Sequence, residues 1–156
     1  MTPEPSKGAP GPKDNRWRLV EATMRRHGHK SHALIEALHS AQEAYGFLEN
    51  DVLRMVARTL RHAARASDFL GRWGGEEFLA LLPNASEGEV RLAAERFRTL
   101  VESSALRLPS GLVGVTASVG ATLARPEDTP ETVVSRADAL MYEAKRGGRN
   151  RVVAEV

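Results

Sequence analysis

The feature that most constrains the fold is a Gly-Gly pair between two short apolar segments. Residues 68–73 and 77–82 each have the length and composition of a strand, and Gly74-Gly75 lies between them. Such a pair predicts a β-hairpin, because glycine adopts the positive φ angles that a tight turn requires. A fold for this chain therefore has to include an antiparallel strand pair joined at Gly74-Gly75.

The segments after this hairpin alternate between helical and extended patterns. Residues 86–104 begin with a capping-box spacing and continue with apolar side chains at helical intervals. Residues 113–123 alternate apolar with small or polar side chains, which predicts a strand. Residues 129–148 have a Thr-Pro start and a Gly-Gly stop, so they predict a further helix, and residues 151–156 fit a final edge strand. This order predicts an α+β protein with helices packed on a sheet.

The residues before the hairpin show helical patterns. Proline and glycine crowd the N-terminus, so residues 1–14 are expected to form a disordered arm. Residues 15–50 carry apolar side chains at helical spacing in two stretches, which predicts a helical N-terminal segment. Asn50 is a good helix cap, and a third helix is predicted to open the remaining domain, residues 51–156.

Composition excludes several classes of function. The chain has no cysteine, so it has no disulfide, no thiol nucleophile and no cysteine-ligated iron–sulfur cluster. The 22 Lys and Arg against 20 Asp and Glu give a formal charge of +2, too small for a protein that coats nucleic acid or an anionic membrane. Neither a signal peptide nor a membrane-length apolar run is seen, and a cytoplasmic location is expected.

Two carboxylates follow the Gly-Gly pair directly. Glycine lets a backbone approach a phosphate closely, and Glu76 and Glu77 offer the oxygen ligands that Mg²⁺ takes. On these four residues alone, an ordinary tight turn with a solvated acidic tip is the more common interpretation. The longer pattern around them favours a nucleotide site.

The longer pattern is similar to a known family. Gly74-Gly-Glu-Glu-Phe78 resembles the signature of the GGDEF domain, the diguanylate cyclases that condense two GTP molecules into cyclic di-GMP. The similarity continues through Thr116-Ala-Ser-Val-Gly120 and Ala137-Asp-Ala-Leu-Met-Tyr142-Glu-Ala-Lys145-Arg-Gly-Gly-Arg149, and it covers about residues 51–156. It implies a cyclase-like sheet with a ferredoxin-like βαββαβ core, GTP and cyclic di-GMP as ligands, Mg²⁺ as cofactor and a homodimer as the active form.

The resemblance also implies roles for individual residues. Gly74 and Gly75 would lie against the nucleotide, Glu76 would bind the metal, and Glu77 would assist the metal or the 3′-hydroxyl. Lys145 and Arg149 would contact the terminal phosphates. Gln42 and Asp51 would recognise guanine, and Arg65 and Asp68 would form the product-inhibition site. Each pair also has an ordinary structural interpretation. Lys145 and Arg149 can be two cations favoured by a helix C-terminus, and Arg65 and Asp68 can be a surface ion pair.

The chain departs from the family pattern before residue 51. Counting back places Leu34 where the family's first strand carries a metal-binding Asp, and Gln42 where it carries Asn. Residues 15–60 resemble instead the N-terminal helices of the small thioredoxin-fold subunit of NADH dehydrogenases and bidirectional NAD-reducing hydrogenases. The simplest hypothesis is a chimera, in which helices replace the first strand and truncate the GGDEF sheet.

Three functions stay open at this stage. The first is a diguanylate cyclase. Without the first carboxylate, its Mg²⁺ site is expected to be weak or incomplete, and its activity is expected to be weak or absent. The second function is a non-catalytic module that binds cyclic di-GMP or GTP. The third is a helical interaction partner of a dehydrogenase or hydrogenase complex, without an iron–sulfur cluster of its own because the chain has no cysteine.

Overall fold

Seven strands and three helices are found in the residues that the computed structural model describes, which are 32–40 as backbone and 50–109 and 111–156 with side chains. The strands are β1 His32–Ser40, β2 Phe69–Gly74, β3 Glu77–Pro83, β4 Ala105–Leu108, β5 Gly111–Gly114, β6 Thr116–Leu123 and β7 Val152–Glu155. The helices are α1 Asn50–Ala63, α2 Glu87–Ser103 and α3 Pro130–Arg146.

Five strands form one sheet in the order β2-β3-β1-β6-β7. β1 is the central strand and runs antiparallel to both β3 and β6, whereas β7 pairs with β6 in parallel at the edge. β4 and β5 form a separate hairpin. The sequence β1-α1-β2-β3-α2-β6 is the expected ferredoxin-like βαββαβ core, and α3 and β7 extend it.

The first strand is present, which corrects the sequence analysis. Residues 32–40 fall inside the predicted helical segment 15–50, yet they form β1, so the sheet is not truncated and helices do not replace its first strand. A central strand is covered on both faces and reads as a nearly continuous apolar run, which periodicity alone does not distinguish from a helix. The predicted arm, residues 1–14, and the rest of the helical segment up to residue 49 lie outside the described residues.

The alternating run at residues 113–123 is also divided differently from the prediction. It breaks at Val115 into β5, which pairs with β4, and β6, which lies in the main sheet. The apolar–polar alternation continues through the break, because a period of two does not record which strand is the partner. β6 is covered on both faces, and two of its three polar residues, Ser118 and Thr122, are fully buried.

Helices cover both faces of the sheet. α1 and α2 pack on one face, where Val56, Phe97 and Val119 are fully buried. α3 packs on the other face, where Val133 and Ala137 are buried in a cluster that includes Leu79 and Leu81 of β3. The sheet therefore forms the middle layer and brings the C-terminal end of α3 to the edge at which the β2–β3 hairpin turns.

Gly120 sets the distance between α3 and the sheet. A Cβ atom at this position of β6 would lie 2.1 Å from the carbonyl oxygen of Ala137 and 2.4 Å from the backbone nitrogen of Met141. Contacts this short do not occur between real atoms, so any larger side chain would displace the helix. Glycine is required here by the close approach of two backbones.

We predict that Gly120→Ala destabilises the protein by about 1–3 kcal/mol, the usual cost of overpacking a close-packed core. Gly88→Ala is the matched control, because Gly88 lies in α2, where an added methyl group would meet no atom within 4 Å, and alanine favours the helix. Urea denaturation followed by circular dichroism measures both changes. Equal midpoints for the two variants would contradict this account of the α3–β6 contact.

An ion pair fastens the start of α3 to the end of β6. The guanidinium of Arg136 donates to both carboxylate oxygens of Asp128, at 2.9 and 2.5 Å. It also donates to the Thr122 hydroxyl and the Leu123 carbonyl, both at 2.8 Å. Hydrogen bonds from Arg136 lower the pKa of Asp128 to about 2. Because the Asp128 side chain is only 5% exposed, solvent screens this pair little.

The pair predicts a specific acid sensitivity. The pKa of Asp128 is lower in the folded state than its ordinary value of 3.8. The ionised carboxylate therefore stabilises the fold fully above about pH 3.8, and this stabilisation is lost as the pH falls towards 2. The loss corresponds to about 2 kcal/mol of unfolding free energy. Asp128→Asn should remove this part of the pH dependence and destabilise the protein at neutral pH by about 3 kcal/mol, because Arg136 is left buried without its partner.

The exposed Glu131, in the first turn of the same helix, provides the control variant Glu131→Gln. Urea denaturation between about pH 5 and about pH 2 should give parallel curves for this control and the unaltered chain, and a flatter curve for Asp128→Asn. An Asp128→Asn curve that runs parallel to the others would refute the assignment.

Candidate functional site

The Gly-Gly pair occupies the β2–β3 turn, as predicted. Gly74 ends β2 and pairs with Glu77, which begins β3, so Gly75 and Glu76 form the turn. Gly75 has a φ of +46°, a conformation that favours glycine. The Arg72 side chain donates from Nε to the Gly75 carbonyl at 2.7 Å and braces the turn from β2. The turn therefore presents backbone and carboxylate groups at one edge of the sheet.

Glu76 is a half-buried carboxylate with an unused oxygen. Its Oε2 atom is buried and accepts no hydrogen bond from the described residues. Burial raises the pKa of Glu76 above its ordinary value of 4.5, and the charge of Lys145 partly opposes this shift. A buried acceptor without a donor is costly, and a hard divalent cation would satisfy it. Glu76 therefore fits the role of a Mg²⁺ ligand.

Lys145 is the cation that the fold brings to this turn. It lies in the last turn of α3, and its charge acts on both Glu76 and Asp138. Partial burial raises the pKa of Asp138, and the charge of Lys145 opposes part of this shift. Arg149 follows α3 in a left-handed backbone conformation, φ +60°, with its N–H donating to the Ala144 carbonyl at 3.1 Å. The predicted phosphate pair thus lies at the end of the helix nearest the turn.

The backbone register of β1 gives the residues that lie opposite the start of β3. Leu38 pairs with Glu77, whereas Leu34 pairs with Leu81, about 13 Å further along the strand. The expectation that Leu34 occupies the position of the family's metal-binding Asp stays a prediction. The last three residues of β1, nearest the turn, are Leu38, His39 and Ser40, and none is a carboxylate.

No pattern in the sequence singles out Asp138 as a site residue. Its electrostatic coupling to Lys145 becomes visible only when α3 is placed on the sheet. Across the described ranges, no group of three or more His, Asp or Glu side chains converges as a metal site.

A cleft of about 670 Å³ lies between α1 and β2, next to the turn. Its floor is apolar and its rim is basic, and none of the described residues that line it is acidic. The floor includes Leu53, Leu60, Leu70 and Phe78, and the rim includes Asn50, Arg54, Arg58, Arg61, His62 and Arg72. Arg72 connects the cleft to the turn through its bond to Gly75. The cleft has the size and surface for a flat, weakly polar group such as a nucleobase.

The two residues implied in guanine recognition are not both visible in this cleft. Asp51 is exposed and pairs with Arg54 at 3.1 Å, and the cleft is lined by its neighbour Asn50 instead. Gln42 lies outside the described residues. The sequence predicts only a helix cap at Asn50, because the resemblance assigns guanine recognition to Asp51. That Asn50 lines the cleft is a finding of the structure.

Arg65 and Asp68 lie together at the opposite end of β2 from the turn. The Arg65 backbone N–H donates to Asp68 Oδ2 at 2.7 Å. The Arg65 guanidinium instead donates to Glu89 Oε1 at 2.9 Å. Hydrogen bonds from the backbone and hydroxyl of Ser86 and from Arg65 lower the pKa of Glu89 to about 2. The capping-box spacing at the start of residues 86–104 predicts only where a helix begins, so the contact of Glu89 with Arg65 is a finding of the structure.

Comparisons with known proteins agree with this architecture. The family described as "Diguanylate cyclase, GGDEF domain" matches residues 21–151. The diguanylate cyclase DgcP of Pseudomonas aeruginosa is 33% identical over 155 residues, which is 96% of this chain and 23% of that protein. The diguanylate cyclase DosC of Escherichia coli K12 is 38% identical over 104 residues, 66% of this chain and 23% of that protein.

Solved structures share the fold. The diguanylate cyclase SiaD of Pseudomonas aeruginosa, crystallised with its activator SiaC, superposes with a TM-score of 0.77 at 36% identity, over 90% of this chain and 56% of that one. The coiled coil and GGDEF domain of DgcB from Caulobacter crescentus, in complex with c-di-GMP, gives a TM-score of 0.76 at 29% identity, over 91% and 78%. The sheet and its glycine turn define a cyclase-type nucleotide domain. The chain belongs to the GGDEF diguanylate cyclase family.

The extent of the match bears on the N-terminal residues. It begins at residue 21 and includes β1, in keeping with a sheet that retains its first strand. The resemblance of residues 15–60 to the NADH dehydrogenase subunit remains a hypothesis. The chain spans 23% and 32% of the first two curated relatives. Among the helices described, none combines the length and apolar character needed to cross a membrane.

The unused oxygen of Glu76 gives a prediction for stability. Glu76→Gln should leave the metal-free protein as stable or raise its melting temperature by about 2–4 °C, because a buried charge is removed. It should also abolish the rise in melting temperature that Mg²⁺ causes in the unaltered chain. Thermal denaturation with and without Mg²⁺ measures both effects, and the exposed Glu87→Gln is the control. A Mg²⁺ response that survives Glu76→Gln would exclude Glu76 as the ligand.

Proposed function

We propose that this chain is a cytoplasmic cyclase domain that binds GTP at the β2–β3 turn and joins two GTP molecules into cyclic di-GMP in a homodimer, with weak activity because its Mg²⁺ site is incomplete. The observation that carries the proposal is the buried, unpartnered Glu76 oxygen, which lies on a glycine turn within the field of Lys145. The family membership supplies the reaction, and the relatives of known structure include one crystallised with c-di-GMP.

The reaction asks for placement more than for covalent chemistry from the protein. In each of two steps, the 3′-oxygen of one GTP attacks the α-phosphorus of the other, a phosphodiester bond forms and pyrophosphate leaves. The Gly74-Gly75 backbone lets the phosphates approach closely, and Lys145 and Arg149 neutralise their terminal charge. Mg²⁺ held by Glu76 would further neutralise the α-phosphate and favour the ionised 3′-hydroxyl. Each protomer holds one GTP, so two protomers have to face each other.

The expected weakness of the reaction comes from β1. The residues at its end nearest the turn are Leu38, His39 and Ser40, which offer no carboxylate to share the cation with Glu76. Mg²⁺ prefers oxygen ligands and dehydrates reluctantly, so the loss of one carboxylate lowers its affinity strongly. GTP therefore has to bring the metal largely by itself.

A gain-of-function pair tests this explanation. Leu38→Asp places a carboxylate opposite Glu77 and should increase both Mg²⁺ affinity and cyclic di-GMP synthesis, by about tenfold or more. Leu34→Asp places the same group opposite Leu81 and should increase neither. Product formation is measured by chromatography over a Mg²⁺ titration, and circular dichroism checks that both variants fold. Rescue by Leu34→Asp alone would show that the register or the metal position is wrong.

A second function, a receptor for cyclic di-GMP, is favoured by Arg65 and Asp68. They lie together but remote from the turn, so ligand binding there need not involve Glu76. Arginine grips phosphate and stacks on guanine, while an aspartate accepts from the base. The Arg65 guanidinium has to leave Glu89 before it can bind such a ligand.

Arg65→Ala separates the two functions. Isothermal titration should show loss of cyclic di-GMP binding and unchanged GTP binding for this variant, because the two sites lie at opposite ends of β2. Arg91→Ala on α2 is the control, since Arg91 is exposed and makes no ion pair with a described residue. Unchanged cyclic di-GMP binding in Arg65→Ala would exclude the receptor function at this pair.

A further inference from the structure

The loop that follows α3 carries Arg149 on a strained stretch of backbone. Gly148, Arg149 and Asn150 all have positive φ angles, of +114°, +60° and +46°. Arginine rarely adopts this left-handed conformation, which glycine and asparagine tolerate far better. Such a conformation persists at Arg149 only because the surrounding contacts hold it. The contacts of this loop therefore decide where the Arg149 side chain can reach.

Three different elements hold this loop. The Arg149 N–H donates to the Ala144 carbonyl of α3 at 3.1 Å. The Arg151 carbonyl accepts from the Val119 N–H of β6 at 2.9 Å. Between these two contacts, the side chain of Asn150 makes two hydrogen bonds to α2. Three consecutive residues are thus fastened to α3, α2 and β6 in turn.

The contact with α2 is a polar network of three side chains, Arg98, Glu102 and Asn150. Arg98 Nη1 donates to Asn150 Oδ1 at 2.9 Å and to Glu102 Oε2 at 2.8 Å. The amide nitrogen of Asn150 donates in turn to Glu102 Oε1 at 2.6 Å. Hydrogen bonds from Arg98 and Asn150 lower the pKa of Glu102, so its carboxylate is ionised at neutral pH. Because Asn150 uses its oxygen on one partner and its nitrogen on the other, the orientation of its side chain is fixed.

We propose that Arg98 and Glu102 are positioning residues for phosphate binding, and that through Asn150 they hold Arg149 where it meets the terminal phosphates of GTP. This inference rests on the proposed binding of GTP at the β2–β3 turn. Lys145 lies within α3 and is placed by the helix itself, whereas Arg149 lies beyond the helix and depends on the loop. Because α2 and α3 cover opposite faces of the sheet, the network extends the support of the phosphate site to the second face.

A comparison of GTP with GMP distinguishes positioning from a general effect on the fold. Asn150→Ala removes both bonds of the amide, so isothermal titration of the full chain with Mg²⁺ should show GTP affinity about tenfold lower. Affinity for GMP, which lacks the terminal phosphates, should not change. The matched control is Asn84→Ala, because Asn84 is also left-handed, with φ +57°, but follows β3 at the end remote from the glycine turn. This control bears a similar backbone cost and should bind both nucleotides like the unaltered chain.

A double-mutant cycle shows whether the network acts through Arg149. Arg149→Ala alone should weaken GTP binding about tenfold, and Asn150→Ala added to it should weaken binding no further. Glu102→Ala should reproduce the effect of Asn150→Ala. Glu102→Gln keeps an acceptor oxygen for the Asn150 amide and should retain most of the affinity. Independent, additive losses from Arg149→Ala and Asn150→Ala would overturn the positioning role.

The outcomes separate this inference from the proposed function. GTP binding that Arg149→Ala weakens and Asn150→Ala leaves unchanged would overturn the network and leave the proposed function standing. Equal losses of GTP and GMP affinity in Asn150→Ala would also overturn it, because the network would then serve the fold alone. GTP binding that Arg149→Ala does not weaken would count against the phosphate role of Arg149 and against its positioning. Absence of any GTP binding would overturn both proposals.

Discussion

The close packing of α3 on β6 determines where the charged groups of the site lie. Gly120 allows the two backbones to meet, and the Arg136–Asp128 pair holds the start of the helix at the end of the strand. With both contacts made, the last turn of α3 reaches the hairpin edge, and Lys145 acts on Glu76. The electrostatics of the candidate site therefore depend on a packing contact in the middle of the sheet.

Much of this architecture follows from sequence patterns. The Gly-Gly hairpin, the capping box at Ser86 and the Thr-Pro start of α3 are local signals, and the structure confirms each of them. β1 is different, because a strand covered on both faces has the same nearly continuous apolar composition as a buried helix. The register of β1 could not be predicted from the sequence either, because it depends on the pairing of β1 with β3 and β6.

The same distinction applies to the site residues. The carboxylates and glycines of the turn are adjacent in sequence, so a motif is sufficient to find them. Asn50, Arg58 and Arg61 share a cleft only because α1 lies against β2, and Glu89 reaches Arg65 only because α2 lies beside α1.

In the proposed function, Glu76 binds a Mg²⁺ ion together with GTP at a site that lacks a second carboxylate. The most direct test is calorimetric titration of the chain with GTP over a wide range of Mg²⁺ concentrations. We expect GTP affinity to rise with Mg²⁺ and to be still rising at millimolar concentrations, since few protein ligands hold the ion in the proposed site. GTP binding that is independent of Mg²⁺ would contradict the claim, and so would saturation at micromolar Mg²⁺.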